Sequence, residues 1–186
     1  MLKKRVIGIV KNLDTSENQA KNRYAFLSLG SNLKSHFGDR IENLEIAQSY
    51  LLKNEIKIVA KSNYYESFSY PNQEDPKFIN CVIKIELSFS AEKLMQILLN
   101  IEKKIGRVRS KKNAPRTCDI DIIDYNGECF EIGNLKIPHK ESQFRNFVLI
   151  PLNEINPEWI HPENKVNIQL LLKKLKDTDI NSIKKV

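Results

Sequence analysis

The stretch at residues 79–87, INCVIKIEL, shows the clearest alternation of apolar and polar residues in the chain. Alternate side chains of a strand face opposite ways, so the pattern predicts a strand with one face in a core. The core side would carry Ile79, Cys81, Ile83, Ile85 and Leu87, and the opposite side Asn80, Val82, Lys84 and Glu86.

The residues before this strand predict a strand, a helix, a second strand and a loop. The apolar run YAFLSL at 24–29 reads as a strand that ends in a turn at 30–32. Helical spacing of apolar residues predicts an amphipathic helix over about 38–53. A strand is expected from 56–60 that continues towards residue 65, and the polar, proline-containing stretch 66–77 is expected to be a loop.

The residues after it predict a second helix and a hairpin. Ser90 can cap a helix over 91–105, with Gly106 as its C-terminal stop. A basic loop at 107–116 leads to a strand at 118–124, and the turn at Tyr125-Asn126-Gly127 predicts a hairpin partner near 129–132. Proline-rich loops and a closing helix over about 167–176 follow. The order β-α-β-β-α-β predicts an α+β, ferredoxin-like (split βαβ) fold with a mostly antiparallel sheet.

Length and charge restrict the classes of protein that the chain can be. Its 186 residues suit one domain at 23–186 preceded by an N-terminal extension at 1–22, and exclude a large multifunctional enzyme. The chain has no apolar run long enough for a membrane helix and no pattern typical of a secretory signal, and its three irregularly spaced cysteines form no disulfide framework. We therefore expect a cytoplasmic protein. The net charge of +7 reflects either a lysine-rich composition or an anionic partner.

The strongest chemical signal is the pair Asp119 and Asp121 in CDIDII. Strand alternation places both carboxylates about 7 Å apart on one face. Like charges repel unless a cation lies between them, and Mg²⁺ is commonly held by one or two carboxylates plus substrate phosphates. An ordinary half-exposed strand with outward aspartates is the alternative.

Five cations precede this pair, and they suit a polyphosphate site with a metal ion, although a solvated basic loop remains an alternative. They are Arg107, Arg109, Lys111, Lys112 and Arg116. The sequence contains neither a G-x-x-x-x-G-K-[ST] loop nor a G-x-G-x-x-G motif, which disfavours Walker-type and Rossmann nucleotide sites.

Isolated polar and aromatic residues add weaker signals. His139 follows a proline and could contact phosphate, or it could be structural. Asn80 could donate to and accept from a heteroaromatic ring, and Phe78 and Phe147 could enclose a flat ring, although such aromatics are usually core residues.

Taken together, these runs resemble the 6-hydroxymethyl-7,8-dihydropterin pyrophosphokinase family of folate biosynthesis. The resemblance covers about 24–163 and rests on FLSLGSN (26–32), YYESFSYPNQEDPKFINCV (64–82), IEKKIGRVR (101–109), APRTCDIDI (114–122) and LKIPHKESQFRNFVLIPLNEI (135–155). It implies an ATP- and Mg²⁺-dependent enzyme that transfers pyrophosphate from ATP to the pterin hydroxymethyl group and releases AMP.

The resemblance also implies roles for individual residues. Asp119 and Asp121 match a pair that holds two Mg²⁺ ions, and Arg107, Arg116 and Asp121 are the implied catalytic residues. The implied ATP-side residues are Glu102, Arg107, Arg109, Arg116, His139 and Arg145. The implied pterin-side residues are Gly30, Ser67, Phe68, Tyr70, Phe78, Asn80 and Phe147, with Asn32 in the turn nearby. The segments 31–38 and 107–116 match loops that move over the site.

The chain also departs from the family pattern. Its arginine loop is one residue shorter, and Asn113, Asn134, Lys136 and Lys140 replace side chains that are common in the family. Two other functions remain open: another metal-dependent phosphoryl or nucleotidyl transferase, and a basic ferredoxin-like module that binds RNA. The expected partners are the small-molecule substrates ATP and hydroxymethyldihydropterin. We expect a monomer that binds neither nucleic acid nor membrane.

Overall fold

The computed structural model describes residues 23–109, 111, 113–133 and 135–186, so the expected extension at 1–22 lies outside the described residues. The strands are β1 (Arg23–Ser31), β2 (Lys57–Lys61), β3 (Tyr65–Ser67), β4 (Phe78–Leu87), β5 (Asp119–Tyr125), β6 (Phe130–Ile132), β7 (Leu135–Ile137) and β8 (Ile183–Lys185). The main sheet has the order β5-β1-β4-β3-β8, with β2 also paired to β4, and every pairing in it is antiparallel. This sheet, covered by helices, confirms the predicted α+β class.

The central strand β4 confirms the alternation that its sequence shows. Its predicted core residues, from Ile79 to Leu87, all lie in the larger hydrophobic core. The opposite face is also covered, because Val82 packs with Phe26 and Ile123 in a second apolar cluster. The sheet is therefore buried on both sides.

The first face is covered by α1 (Arg40–Lys53) and α2 (Ala91–Lys104), close to the predicted helices at 38–53 and 91–105. Asp39 caps α1 by accepting hydrogen bonds from the backbone N–H groups of Ile41 and Glu42, at 2.8 and 3.1 Å. Ser90 caps α2 as predicted, and Gly106 follows that helix at a φ of +92°, which glycine adopts without strain.

The second face is covered by α3 (Asn146–Ile155), where the sequence predicted proline-rich loops. The loop prediction is wrong for this segment, because its residues form a helix in spite of Pro151. A proline removes one backbone donor from a helix. Val148, Leu149 and Leu152 are buried in the second cluster, and this burial offsets the lost hydrogen bond.

The predicted hairpin after β5 is also wrong. The turn exists, with positive φ at Asn126 and Gly127, but β6 pairs with β7 in a separate two-stranded sheet. Asp124 closes the turn by accepting a hydrogen bond from Gly127 N at 2.8 Å. Phe130 then packs edge-on against Tyr125, at 6.1 Å between ring centroids.

The predicted helix over about 167–176 is present as the shorter α4 (Ile168–Lys173), and a further short helix that the sequence did not predict, α5 (Asp177–Asn181), follows it. Only Ile168 and Leu171 of α4 are buried, so packing supports a helix of little more than one turn there. The chain then returns to the main sheet as β8, which the sequence did not predict. No helix in the described parts of the chain has the length and apolar character that crossing a membrane requires.

The segment between β2 and β4 differs from its prediction in one respect. Tyr65–Ser67 pairs with β4, so Glu66 and Ser67 belong to a strand and only the residues after them form a loop. Strand pairing fixes the position of Ser67 more firmly than the predicted loop would.

Candidate active site

Strand β5 brings Asp119 and Asp121 to the same face, at the end of the strand next to the basic loop. Cys118, Ile120 and Ile122 point the other way, into the larger core. The two carboxylate side chains are partly exposed, at 18% for Asp119 and 35% for Asp121. The pair is thus accessible to a ligand, as the sequence predicted.

Asp119 is held between two arginines of the basic loop. Its Oδ1 accepts a hydrogen bond from Arg107 Nη1 and its Oδ2 one from Arg116 Nη2, both at 2.5 Å. Burial alone would raise the pKa of Asp119, but the guanidinium groups of Arg116 and Arg107 outweigh it and hold this pKa below its usual value. Asp119 is therefore ionised near neutral pH.

Glu102 of α2 lies behind this cluster and is almost fully buried. Its carboxylate accepts hydrogen bonds from Arg107, from Arg109 Nη2 at 3.2 Å and from the backbone N–H of Ile120 at 2.9 Å. Burial raises the pKa of Glu102 to about 6, although the neighbouring arginines oppose this shift. Glu102 thus orients the arginines and the start of β5. A groove of about 250 Å³ beside it is lined by Leu99, Glu102, Lys103, Arg107 and Arg109.

Asp121 differs from Asp119 because no hydrogen-bond donor of the described residues contacts its carboxylate. Its ion-pair partner is Arg145, with Nη1 at 3.8 Å from Oδ2. Burial and the neighbouring charge of Asp119 raise the pKa of Asp121, while His139 and Arg145 oppose the shift. His139 is half-buried, and its Nδ1 accepts a hydrogen bond from Glu141 N at 3.3 Å. The structure therefore brings His139 and Arg145 to the side of Asp121.

The residues present fit a divalent cation that is shared with a phosphate ligand. Asp119 and Asp121 offer oxygen atoms as ligands, which Mg²⁺ prefers, and no hydrogen-bond donor in the described part of the chain competes for Asp121. The described residues contain no group of three or more His, Cys, Asp and Glu side chains that could hold a metal ion by themselves. Phosphate oxygens and water would complete the coordination, and the buried Arg116 Nε, which lacks a partner among the described residues, is a further donor for phosphate.

The second half of the site is uncharged and is built by β1, β3 and β4. Asn80 Nδ2 donates to Ser67 Oγ at 2.9 Å, and both side chains are buried. Gly30 faces them: a Cβ on this residue would lie 3.2 Å from Asn80 Oδ1 and 3.4 Å from Phe78 Cδ1. Glycine therefore leaves the space in front of the Asn80 amide open.

Two of the predicted pterin-side aromatics lie beside arginines from the charged half. The guanidinium carbon of Arg116 is 5.0 Å from the ring centroid of Phe78, and that of Arg145 is 5.6 Å from the ring centroid of Phe147. In this structure the arginines thus contact the ring faces on which a flat ligand would stack.

The other predicted aromatics are further from this arrangement. Phe68 is 43% exposed, with Lys77 Nζ 4.8 Å from its ring centroid. Tyr70 is 80% exposed, so the structure does not bring its ring together with Phe78 or Phe147. Both residues belong to the loop after β3.

Asn32 connects the two halves, which the sequence did not reveal. Its Oδ1 accepts a hydrogen bond from Arg116 N at 2.6 Å. Its Nδ2 donates to Ser69 Oγ at 3.3 Å and to the carbonyl oxygen of Pro76 at 3.0 Å. The amide of a buried asparagine can both donate and accept hydrogen bonds. The partners of Asn32 are 37 to 84 residues away, however, and local sequence does not show them.

Three of the four residues that depart from the family pattern lie in the described part of the chain. Asn113 has a φ of +61°, which asparagine tolerates better than most residues. Lys136 pairs with Glu163 at 3.9 Å, and Lys140 is exposed. Asn134 and Lys112 lie outside the described residues.

Residues 26–157 match the family of 7,8-dihydro-6-hydroxymethylpterin-pyrophosphokinases. The chain is 39% identical over 150 residues to the 2-amino-4-hydroxy-6-hydroxymethyldihydropteridine pyrophosphokinase of Synechocystis, covering 79% of this chain and 74% of that protein. It is 34% identical to the enzyme of the same name from Haemophilus influenzae, covering 79% of this chain and 90% of that one.

Longer proteins also contain a region similar to this chain. A folic acid synthesis protein of Dictyostelium discoideum is 36% identical, but the match covers 83% of this chain and only 23% of that protein. The fold resembles the HPPK-DHPS protein of Plasmodium falciparum, solved with pteroate, at a TM-score of 0.65 and 15% identity, covering 83% of this chain and 42% of that one.

Proposed function

Because the chain belongs to the 7,8-dihydro-6-hydroxymethylpterin-pyrophosphokinase family, we propose that it transfers the terminal pyrophosphate of ATP to the hydroxymethyl oxygen of 6-hydroxymethyl-7,8-dihydropterin and releases AMP. The observation that carries the proposal is the junction of two unlike half-sites. The accessible pair Asp119 and Asp121, surrounded by arginines, adjoins the uncharged pocket of Asn80 and Ser67. A polyphosphate and a flat heterocycle need these two environments side by side.

The pterin would occupy the uncharged half. The Asn80 amide and the Ser67 hydroxyl can hydrogen-bond the edge of the ring, because both offer donor and acceptor atoms. Phe78 and Phe147 would stack on the ring faces once Arg116 and Arg145 leave them. Gly30 keeps the space free, and Phe68 and Tyr70 would close over the pocket from their loop.

The triphosphate would occupy the charged half. Arg107, Arg109 and Arg116 can bind phosphate oxygens through two N–H groups each, and His139 and Arg145 would contact the phosphates from the Asp121 side. Glu102 acts through the arginines that it orients. Two Mg²⁺ ions, held by Asp119 and Asp121, would neutralise phosphate charge and help to align the acceptor oxygen with the β-phosphorus.

In the transfer, the hydroxymethyl oxygen forms a bond to the β-phosphorus, and the bond from that phosphorus to the α,β-bridging oxygen breaks. AMP leaves with the electron pair. Asp121 would help to take the hydroxyl proton, and Arg107 and Arg116 would stabilise the charge that develops on the leaving group. Orientation and electrostatics would supply most of the rate enhancement.

Product analysis tests this proposal. Purified protein with ATP, Mg²⁺ and hydroxymethyldihydropterin should form AMP and the pterin diphosphate in equal amounts, and the Asp121→Asn variant should not. Formation of ADP or of a nucleotide-linked product would instead indicate another phosphoryl or nucleotidyl transferase. Salt-dependent RNA binding without turnover would indicate a nucleic-acid module. The monomeric state, the cytoplasmic location and the lack of nucleic-acid and membrane partners stay predictions.

A further inference from the structure

The C-terminal segment, Asp177–Val186, lies outside the matched residues 26–157 but contacts the strand that carries Ser67. It contains α5 and β8, and β8 pairs with β3 so that Ser67 is opposite Ile183. Val186 N also donates to the carbonyl oxygen of Tyr64 at 3.0 Å. Strand β3 is thereby held between β4 and the C-terminal segment.

The same segment contacts the opposite side of the pocket through Asn146, the first residue of α3. Asn146 Nδ2 donates to the carbonyl oxygen of Asp179 at 2.5 Å and to Ser182 Oγ at 3.0 Å. Its Oδ1 accepts a hydrogen bond from Phe147 N at 2.7 Å. Asn146 lies between Arg145 and Phe147 in sequence, so its amide fixes the turn from which both side chains project.

The backbone also supports this turn, because the carbonyl oxygen of Arg145 accepts hydrogen bonds from Val148 N at 3.1 Å and Leu149 N at 2.9 Å. Arg145 does not cap α3 with its side chain, however. A helix end leaves several N–H groups without partners inside the helix. The Asn146 amide satisfies one of them, Phe147 N, and the C-terminal segment in turn fixes the amide.

We propose that the C-terminal segment is a positioning element of the pterin pocket, acting through Asn146 on Phe147 and through β3 on Ser67. This inference rests on the proposed function, because it assigns Phe147 and Ser67 to the acceptor substrate. A role in core packing explains the segment less well, because α5 has no buried residue and β8 is short and mostly exposed.

The contacts of Asn146 provide a specific test in the full-length chain. Ser182→Ala removes an acceptor of the Asn146 amide without touching the substrate sites. Asn146→Asp keeps the oxygen that accepts from Phe147 N and loses the donor to Asp179 and Ser182. Thr178→Ala is the matched control, since Thr178 is an exposed hydroxyl residue of α5, the helix that Ser182 directly follows.

Each variant is compared with the wild type by its KM for hydroxymethyldihydropterin, its kcat, its affinity for a non-hydrolysable ATP analogue, and its Kd for the pterin by calorimetry. We expect Ser182→Ala and Asn146→Asp to raise the pterin KM and Kd about three- to tenfold, the range typical of one lost hydrogen bond. Nucleotide affinity and kcat at saturating pterin should change less than about twofold. The double variant should lose little more than Asn146→Asp alone, because that single variant already removes the hydrogen bond to Ser182.

The results separate this inference from the proposed function. The positioning role would be overturned if both variants bound pterin as tightly as Thr178→Ala does, or if nucleotide affinity and kcat fell in parallel. AMP formation by the wild type would still support the proposed function. Pterin binding without AMP formation by the wild type would overturn the function, and the Kd values would still decide the positioning role. A wild type that binds no pterin would overturn both.

Discussion

The uncharged and charged halves of the site are prepared for their ligands in different ways. In the uncharged half, the Asn80 and Ser67 side chains are fixed by antiparallel pairing of their strands and by the hydrogen bond between them. In the charged half, Arg107 and Arg116 bind Asp119, and Glu102 also binds Arg107. In the uncharged half the Asn80 and Ser67 side chains are already in place, although arginines cover the rings of Phe78 and Phe147. The charged half satisfies its charges internally.

This difference has an energetic reason. An empty neutral pocket whose polar groups are hydrogen-bonded to each other costs little free energy, whereas buried charges without partners cost much more. Under the proposed function, the arginines exchange carboxylate and aromatic partners for phosphate oxygens when the nucleotide binds. Substitutions in the charged half should affect the rate of transfer, and those in the uncharged half should affect pterin affinity.

The largest effect is expected from the two aspartates. Asp119→Asn and Asp121→Asn should each lower kcat by at least about 10³-fold, because the charge that holds the cations is lost. Their stabilities should differ. Asp119→Asn should lower the free energy of unfolding by about 2 kcal/mol or more, since two arginines lose their carboxylate. Asp121→Asn should not lower it and should raise it slightly, because burial and the charge of Asp119 disfavour the ionised Asp121 carboxylate and raise its pKa.

Steady-state AMP assays and chemical denaturation measure both quantities, with the exposed Asp177→Asn as the control. Undiminished turnover in either variant would refute the metal assignment. Equal loss of stability in both would contradict the contrast between a paired and an unpaired carboxylate.

Arg116→Ala should have the next largest effect, a fall in kcat of about 10²-fold, because a donor to the phosphates is lost. Pterin affinity should change much less, because under the proposed function Arg116 moves from Phe78 to the phosphates and does not contact the pterin. Arg116→Lys keeps the charge but not the two-pronged geometry and should recover only part of the rate. Single-turnover rates and pterin binding by calorimetry separate the two effects. Equal loss in both would place Arg116 in the pterin pocket instead of on the phosphates.

The elements that sequence predicts well are those with strong local patterns. The alternation of β4, the aspartate face of β5 and the Ser90 cap of α2 are all found in the structure. The residues of both half-sites could be named because they follow motifs in the sequence. Such features depend on residues that are near one another in the chain.

The features that sequence missed depend on distant contacts. Helix α3 forms despite Pro151 because its apolar side chains reach the second face of the sheet. Strand β8 exists only as a partner of β3, more than 100 residues away. The same holds for the bonds of Asn32 and for the arginines against Phe78 and Phe147. Periodicity and motifs contain no information about such pairs.

Gly30→Ala tests whether the uncharged half is preformed. The new Cβ would lie 3.2 Å from Asn80 Oδ1 and would narrow the space before the amide. We expect the pterin KM to rise about tenfold, with kcat and nucleotide affinity changed much less. Initial rates at varied pterin concentration measure this split. A fall in kcat without a change in pterin KM would show that Gly30 does not border the acceptor.

The smallest effect concerns the pH dependence of the charged half. The pKa of Glu102 is about 6 in the folded chain, above its ordinary value of 4.5, so the folded state binds a proton more tightly than the unfolded state does. The stability that this proton contributes is complete below the ordinary pKa and is lost as pH rises through the folded pKa. Between about pH 5 and pH 6 the loss should be about 1 kcal/mol.

Glu102→Gln carries no titrating group, so its free energy of unfolding should lack this part of the pH dependence. Chemical denaturation of both proteins across this range measures the difference. A wild type that gains stability relative to Glu102→Gln as pH rises would show that the arginines, and not burial, dominate the protonation of Glu102. The internal pairing of the charged half would then be stronger than the burial of Glu102 indicates, and its arginines would be harder to release to phosphate.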